Sequence, residues 1–161
     1  MTLTLDDFRK YLEEWALYRR DDFQRFFPLK GGWEAWVQAD FAAYLLLKDD
    51  RYDVLREVDI YIDPYQKVDW LFNEPDVDKT KRIAVELKCQ SFNNWRAFVP
   101  GIENDIVKLQ QDRIKEQFKT CATIVMGIYF EPNTRNWMRS HGFNEIFVNG
   151  QVGIAIRKLY P

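Results

Sequence analysis

A chain of 161 residues is the length of a single domain, and its 47% hydrophobic and 30% charged residues are typical of a globular protein rather than a disordered or fibrous one. No apolar run is long enough to cross a bilayer and the N-terminus lacks the pattern of a secretory signal, so we expect one cytoplasmic domain, residues 1–161. The formal net charge of −2 argues against a strongly basic nucleic-acid-binding domain, although net charge does not say where the charges lie.

Two helices are predicted at the start of the chain. Apolar residues at three- and four-residue spacing predict helices at residues 4–27 and 33–47. Glu34 and Gln38 are four residues apart, so they lie on one face of the second helix, near its N-terminus. An acidic residue in a first turn commonly only complements the helix dipole, and that interpretation of Glu34 stays open at this point.

Alternation of apolar and polar residues predicts three consecutive strands, at residues 51–63, 66–72 and 82–90. The short connections between them indicate an antiparallel meander. In the third strand Glu86, Lys88 and Gln90 share one face, because side chains alternate along an extended strand. The opposite face is apolar and belongs to the core, with Ile83, Val85, Leu87 and Cys89.

Asp69 is the acidic residue of the second predicted strand, and its neighbours are apolar. A carboxylate in such a strand is costly unless it is paired or bound to a metal ion. Asp59 and Asp63 are also close in sequence, but their surroundings are more polar. Asp69 is therefore the stronger candidate for a functional residue.

The rest of the chain is predicted to form a loop, a helix, a buried strand, a short helix and a β-hairpin, at residues 91–101, 102–118, 121–130, 134–139 and 145–159. The buried strand is almost continuously apolar, which favours parallel pairing after a crossover helix. Cys89 and Cys121 are expected to be buried free thiols, since a disulfide would require their strands to be neighbours. Trp95 and Arg96 lie in the predicted loop, where they could contact a substrate or pack.

An Asp followed by a strand with Glu-x-Lys resembles the metal-binding motif of the PD-(D/E)xK nuclease superfamily. Glu86-Leu87-Lys88 matches the second half of the motif, and Val68-Asp69 matches the first half only in its Asp, because Val stands where the motif has Pro. The predicted order of elements over residues 32–130 also matches that superfamily's αβββαβ core. The resemblance therefore implies an α/β restriction-endonuclease-like fold, a mixed sheet flanked by helices, with an extra N-terminal helix and a C-terminal hairpin.

The resemblance implies a Mg²⁺-dependent endonuclease that hydrolyses DNA phosphodiester bonds, with Mn²⁺ as a substitute metal. The implied metal ligands are Asp69, Glu86, the backbone carbonyl of Leu87 and, directly or through water, Glu34. Lys88 would orient or activate the attacking water and stabilise transition-state charge, and Gln90 would position that water or contact phosphate. The expected partner is nucleic acid, double-stranded DNA in the first place, although the sequence does not distinguish DNA from RNA. A homodimer or higher oligomer is expected because double-strand cutters usually act as dimers.

Asp105 and Lys108 resemble an Asp-x-x-Lys-Leu pattern that follows the motif in some superfamily members, although most charges of that helix are expected to form a solvated face. Two alternatives to a nuclease stay open. One is a catalytically inactive nuclease-fold protein that binds nucleic acid or protein. The other is an unrelated α/β module in which Glu86 and Lys88 form only a surface ion pair. The pathway, whether restriction, homing, repair, phage or toxin, is also open.

Overall fold

The computed structural model describes residues 1–29, 32–76 and 78–160, and this part of the chain forms four α-helices and one six-stranded mixed sheet. The helices are α1 (Leu5–Phe26), α2 (Glu34–Lys48), α3 (Trp95–Lys108) and α4 (Pro132–Ser140). The strands are β1 (Val54–Val58), β2 (Val68–Phe72), β3 (Ile83–Cys89), β4 (Ala122–Tyr129), β5 (Asn144–Asn149) and β6 (Val152–Tyr160). The predicted α/β class is confirmed.

The sheet has the strand order β1-β2-β3-β4-β6-β5. The first three strands form the predicted antiparallel meander, and β4 pairs in parallel with β3 after the crossover through α3. β6 pairs antiparallel with β4, and the β5–β6 hairpin forms the far edge. β4 is buried along its whole length, as its continuous apolar sequence predicts for a central strand.

The two faces of the sheet carry separate hydrophobic clusters. On one face, residues of α1 and α2 such as Phe8 and Phe41 pack against Trp70 and Val85 of the sheet. On the other face, α3 and α4 contribute Phe98, Ile102 and Met138, which pack with Leu71, Ala84 and Val125. Burial of these two apolar faces supplies the main favourable free energy of folding.

The first two helices lie within one residue of their predicted bounds, and the N-terminus of α1 is closed by a capping box. The Thr4 hydroxyl accepts a hydrogen bond from the Asp7 N–H at 3.1 Å, and the Asp7 carboxylate accepts one from the Thr4 N–H at 3.2 Å. Cys89 and Cys121 are both buried and free, as expected. None of the helices described is long and apolar enough to span a membrane.

The predicted loop at 91–101 and helix at 102–118 are wrong in their bounds. The helix begins at Trp95, includes Pro100 and ends at Lys108. Proline normally disfavours a helix interior, but here the packing of Phe98 and Ile102 in the core offsets that cost. After Lys108 the chain forms two short 3-10 turns, because residues 113–115 hydrogen-bond with residues 60–62 instead of continuing the helix.

The predicted strand at 51–63 is shorter than expected. β1 ends at Val58, next to Glu57, whose φ of 54° breaks the regular pleat. Beyond it, Tyr61 forms an isolated antiparallel bridge with Ile114. That bridge places the Tyr61 side chain inside the molecule, beside the polar residues of β3.

Candidate active site

β3 pairs with Trp70–Phe72 of β2 as far as Val85. The candidate site lies along the part of β3 that follows this pairing. Past this point the Leu87 N–H donates to Asp69 Oδ2 at 2.6 Å, and the Cys89 N–H donates to Glu34 Oε1 at 3.1 Å. Alternate N–H groups of a strand point to the same side, about 7 Å apart. Two acidic residues from different elements are therefore held side by side along one strand.

Glu34 is the first residue of α2, and its side chain reaches across to β3. Its Oε2 atom lies 3.5 Å from Lys88 Nζ, in addition to the bond from the Cys89 N–H. Glu34 therefore contacts β3 in addition to complementing the dipole of α2. The structure brings Glu34 to the predicted site.

Asp69 is partly buried and accepts a second hydrogen bond, at 2.6 Å from Gln38 Nε2. The side-chain oxygen Oε1 of Gln38 in turn accepts from the Arg56 guanidinium at 3.1 Å. Burial raises the pKa of Asp69 to about 6, against the opposing effect of the Leu87 N–H. Gln38 was not predicted as a site residue, although its spacing from Glu34 had already placed both on one helix face.

Glu86 is almost fully buried, and one of its oxygens receives two hydrogen bonds. The Tyr61 hydroxyl donates to Oε1, and Lys108 Nζ donates to the same atom at 3.1 Å. Burial, followed by the negative charges of Asp69 and Asp105, raises the pKa of Glu86 to about 8. The carboxylate therefore lacks enough positive charge around it to stay ionised at low cost.

Lys88 points between two acidic residues on different helices. Its Nζ lies 3.5 Å from Glu34 Oε2 and 3.7 Å from Asp105 Oδ2. Burial by itself lowers the pKa of Lys88, but the charges of Asp105 and Glu34 outweigh it and the net shift is upward. The ammonium group consequently stays protonated at neutral pH.

Asp105 is 1% exposed, and neither of its oxygens receives a hydrogen bond of good geometry. Lys108 Nζ lies 2.8 Å from Oδ1, so the charge is balanced without a well-directed bond. Most charges of this helix were expected to form a solvated face; Asp105 and Lys108 are exceptions, because α3 lies across β3 and turns both residues toward Glu86. The Asp-x-x-Lys spacing was the sequence pattern that indicated Asp105 and Lys108. No sequence pattern indicated that Tyr61 would contact the site.

Gln90 is fully buried, and its side-chain amide is engaged by α4 and the end of β4. Nε2 donates to Thr134 Oγ1 at 2.9 Å and to Glu131 Oε2 at 3.2 Å, while Oε1 accepts from the Phe130 N–H at 2.8 Å. The structure therefore does not bring Gln90 among the carboxylates. It links β3 to the start of α4.

A surface ion pair between Glu86 and Lys88 is not what the structure contains. Glu86 is 2% exposed and pairs with Lys108, whereas Lys88 contacts Glu34 and Asp105. Burying four acidic and basic groups together costs free energy, and an ion pair without a function would not require it.

The donor set suits a hard divalent cation. Mg²⁺ prefers oxygen ligands, and Glu34, Asp69, Glu86 and the Leu87 carbonyl would supply them. Four carboxyl groups lie beside two ammonium groups here, which would leave an excess of two negative charges if all six were ionised. As the side chains stand, no three His, Cys, Asp or Glu residues within residues 1–29, 32–76 and 78–160 form a metal-binding group. Binding would therefore require these carboxylate side chains to move closer together.

Comparison with known proteins identified no relative. No family model matches the sequence, and neither the curated proteins nor the solved structures include a significant match to this chain.

Proposed function

We propose that this protein is a Mg²⁺-dependent endonuclease with a restriction-endonuclease-like fold, and that it hydrolyses DNA phosphodiester bonds. The observation that carries the proposal is the meeting of Asp69, Glu86 and Glu34 beside Lys88 at one end of β3. The order α2-β1-β2-β3-α3-β4, with β4 parallel to β3, supports it as well.

Phosphodiester hydrolysis needs an activated water and neutralisation of the charge that develops on the phosphate. A divalent ion held by Asp69, Glu86 and the Leu87 carbonyl, with Glu34 directly or through water, would supply both. The raised pKa values of Asp69 and Glu86 support a cation here, because an added positive charge would let both groups ionise.

Lys88 has a role that follows from its charge. Because Glu34 and Asp105 keep Nζ protonated, Lys88 acts as a hydrogen-bond donor and a positive charge rather than as a base. It would orient the attacking water and stabilise the negative charge of the transition state. Asp105 and Lys108 are positioning residues: the first holds Lys88, and the second holds Glu86.

The alternative is a catalytically inactive protein of the same fold that binds nucleic acid or protein. One observation favours it: Asp69 and Glu34 already accept hydrogen bonds from β3, and the described residues contain no ready-made metal-binding group. In such a protein these carboxylates would stabilise the end of β3 and coordinate nothing.

Incubation with supercoiled plasmid and Mg²⁺, with Mn²⁺ and EDTA as parallel conditions, tests the proposal. We expect nicking or linearisation that is lost in EDTA and in Lys88→Ala, but kept in Lys119→Ala, whose lysine pairs with Glu116, three residues before it. Binding without cleavage would favour the inactive alternative. If the protein neither binds nor cleaves DNA or RNA, the result would contradict the nuclease and the nucleic-acid-binding form of the alternative, and would favour a protein-binding role.

A further inference from the structure

An open groove of about 680 Å³ lies between the N-terminal parts of α3 and α4. It is lined by Trp95, Arg96, Val99, Glu131, Pro132, Asn133, Thr134 and Trp137. The carboxylates of the candidate site do not line it, and none of the roles assigned above uses its aromatic residues.

Two indole rings line this groove. Trp95 is 43% exposed, and the Arg96 guanidinium carbon lies 4.8 Å from the centre of its ring. Trp137 is half-buried, and its other contacts include a stacked His141 ring with a centroid distance of 4.1 Å. Exposed indoles beside a cavity offer flat apolar surfaces on which a planar ligand can stack.

The α3 side of the groove offers positive charge to an anionic ligand. α3 and α4 both begin beside it, and in this part of the described chain neither has a side chain capping its N-terminus. The Asn94 side chain is occupied instead by the Ser91 N–H and the Cys89 carbonyl. The positive end of the α3 dipole and the Arg96 guanidinium are together suited to phosphate. Glu131 is the one opposing charge, and it accepts a hydrogen bond from Gln90.

Gln90 connects the groove to the candidate site. Its amide donates to Thr134 and Glu131, which line the groove, and it directly follows the last residue of β3, two residues beyond Lys88. Two residues of extended chain span about 7 Å. The groove therefore lies near Lys88, within the length of a short nucleic-acid strand.

We propose that this groove binds unpaired nucleotides of a single-stranded nucleic acid, with bases stacked on Trp95 and Trp137 and a phosphate held by Arg96 and the start of α3. Bases within an intact duplex are stacked on one another and cannot reach these indoles. The inference rests on the proposed function for the orientation of the strand, and it specifies the substrate class: single strands, flaps or locally opened duplex in preference to fully paired DNA.

Equilibrium binding of labelled oligo-dT, oligo-U and a paired duplex of equal length, all in EDTA so that no cleavage occurs, tests the inference. We expect the single strands to bind more tightly than the duplex. Trp95→Ala should weaken single-strand binding about tenfold and leave duplex binding unchanged. The oligo-dT and oligo-U measurements show which nucleic acid supplies the strand.

Tyr18→Ala is the matched control, because Tyr18 is also exposed and has a guanidinium, that of Arg19, at 4.9 Å, but it lies on α1. It should bind as the unaltered protein does. Trp137→Phe is a milder second variant, since Trp137 also packs against the core. Equal binding of single strand and duplex, or unchanged binding by folded Trp95→Ala and Trp137→Phe, would overturn the inference. Cleavage of plasmid and of a single-stranded oligonucleotide in Mg²⁺ tests the nuclease separately: single-strand binding without cleavage of either substrate would support the groove and contradict the proposed function.

Discussion

The side-chain stem of Lys88 packs directly against Gly101 of α3: a Cβ atom on Gly101 would lie 3.2 Å from both Cδ and Cε of Lys88. Glycine inside a helix costs about 1 kcal/mol relative to alanine. The missing Cβ has a packing reason, because it lets α3 approach β3 closely enough for Asp105 to reach the lysine.

Gly101→Ala should therefore separate stability from activity. We expect an unchanged or slightly higher melting temperature, because the gain in helix propensity offsets the tight contact. We expect kcat for cleavage to fall about tenfold or more with little change in KM, since small displacements of a catalytic group are costly. Glu103→Ala, an exposed position on α3, is the control. Full activity in a folded Gly101→Ala protein would show that the Lys88 stem adjusts freely.

Asp69→Asn should leave the fold intact, because an amide oxygen can still accept the Leu87 N–H. It removes one negative charge from the proposed metal site, so we expect Mn²⁺ binding measured by calorimetry to weaken strongly and cleavage to be lost. The melting temperature in EDTA should change little. If the melting transition collapses instead, Asp69 is a structural residue and its charge serves the fold alone.

Stability of the metal-free protein should fall as pH rises from about 5 to about 8. Glu86 has a folded pKa of about 8 against an ordinary 4.5, so the native state holds a proton that the unfolded state releases across this range. Stabilisation from that proton is complete below the ordinary pKa and is lost as pH approaches the folded value, a change on the order of a few kcal/mol. Asp69, raised to about 6, contributes in the same direction at the lower end of the range.

Chemical denaturation in EDTA at several pH values measures this effect. Glu86→Gln should flatten the dependence, because glutamine has no proton to release, and Mg²⁺ added at pH 8 should raise the stability of the unaltered protein. A stability that instead increases from pH 5 to pH 8 in EDTA would show that Glu86 is ionised without metal.

Asp105→Asn should destabilise the protein by about 3 kcal/mol, since it leaves Lys108 and Lys88 with one counter-charge fewer in a largely buried place. Lys108→Met should also destabilise, because it removes the cation beside Glu86. In the double variant the two losses should be partly compensated, giving a coupling of about 1 kcal/mol or more. Strictly additive losses in urea unfolding would show that the 2.8 Å contact between Lys108 and Asp105 contributes nothing.

Much of the fold could be predicted from local sequence patterns. The alternation along residues 82–90 separated the apolar face of β3 from Glu86 and Lys88, and the apolar setting of Asp69 distinguished it from Asp59, which is half-exposed and paired with Lys115. These predictions succeed because a period of two or of 3.6 residues reports directly which side of an element is buried.

Tertiary structure alone decided how the polar groups meet. Tyr61 reaches Glu86 only because its segment pairs with residues far along the chain, and α3 begins early, through Pro100, because Phe98 finds a core to pack against. Asp105 is buried beside Lys88, at a place where Gly101 has no Cβ to contact the lysine stem. The periodicity of one element shows which of its sides is polar. The polar groups that this side faces belong to other elements, and they are brought there by packing between segments distant in sequence. No local sequence pattern encodes that packing.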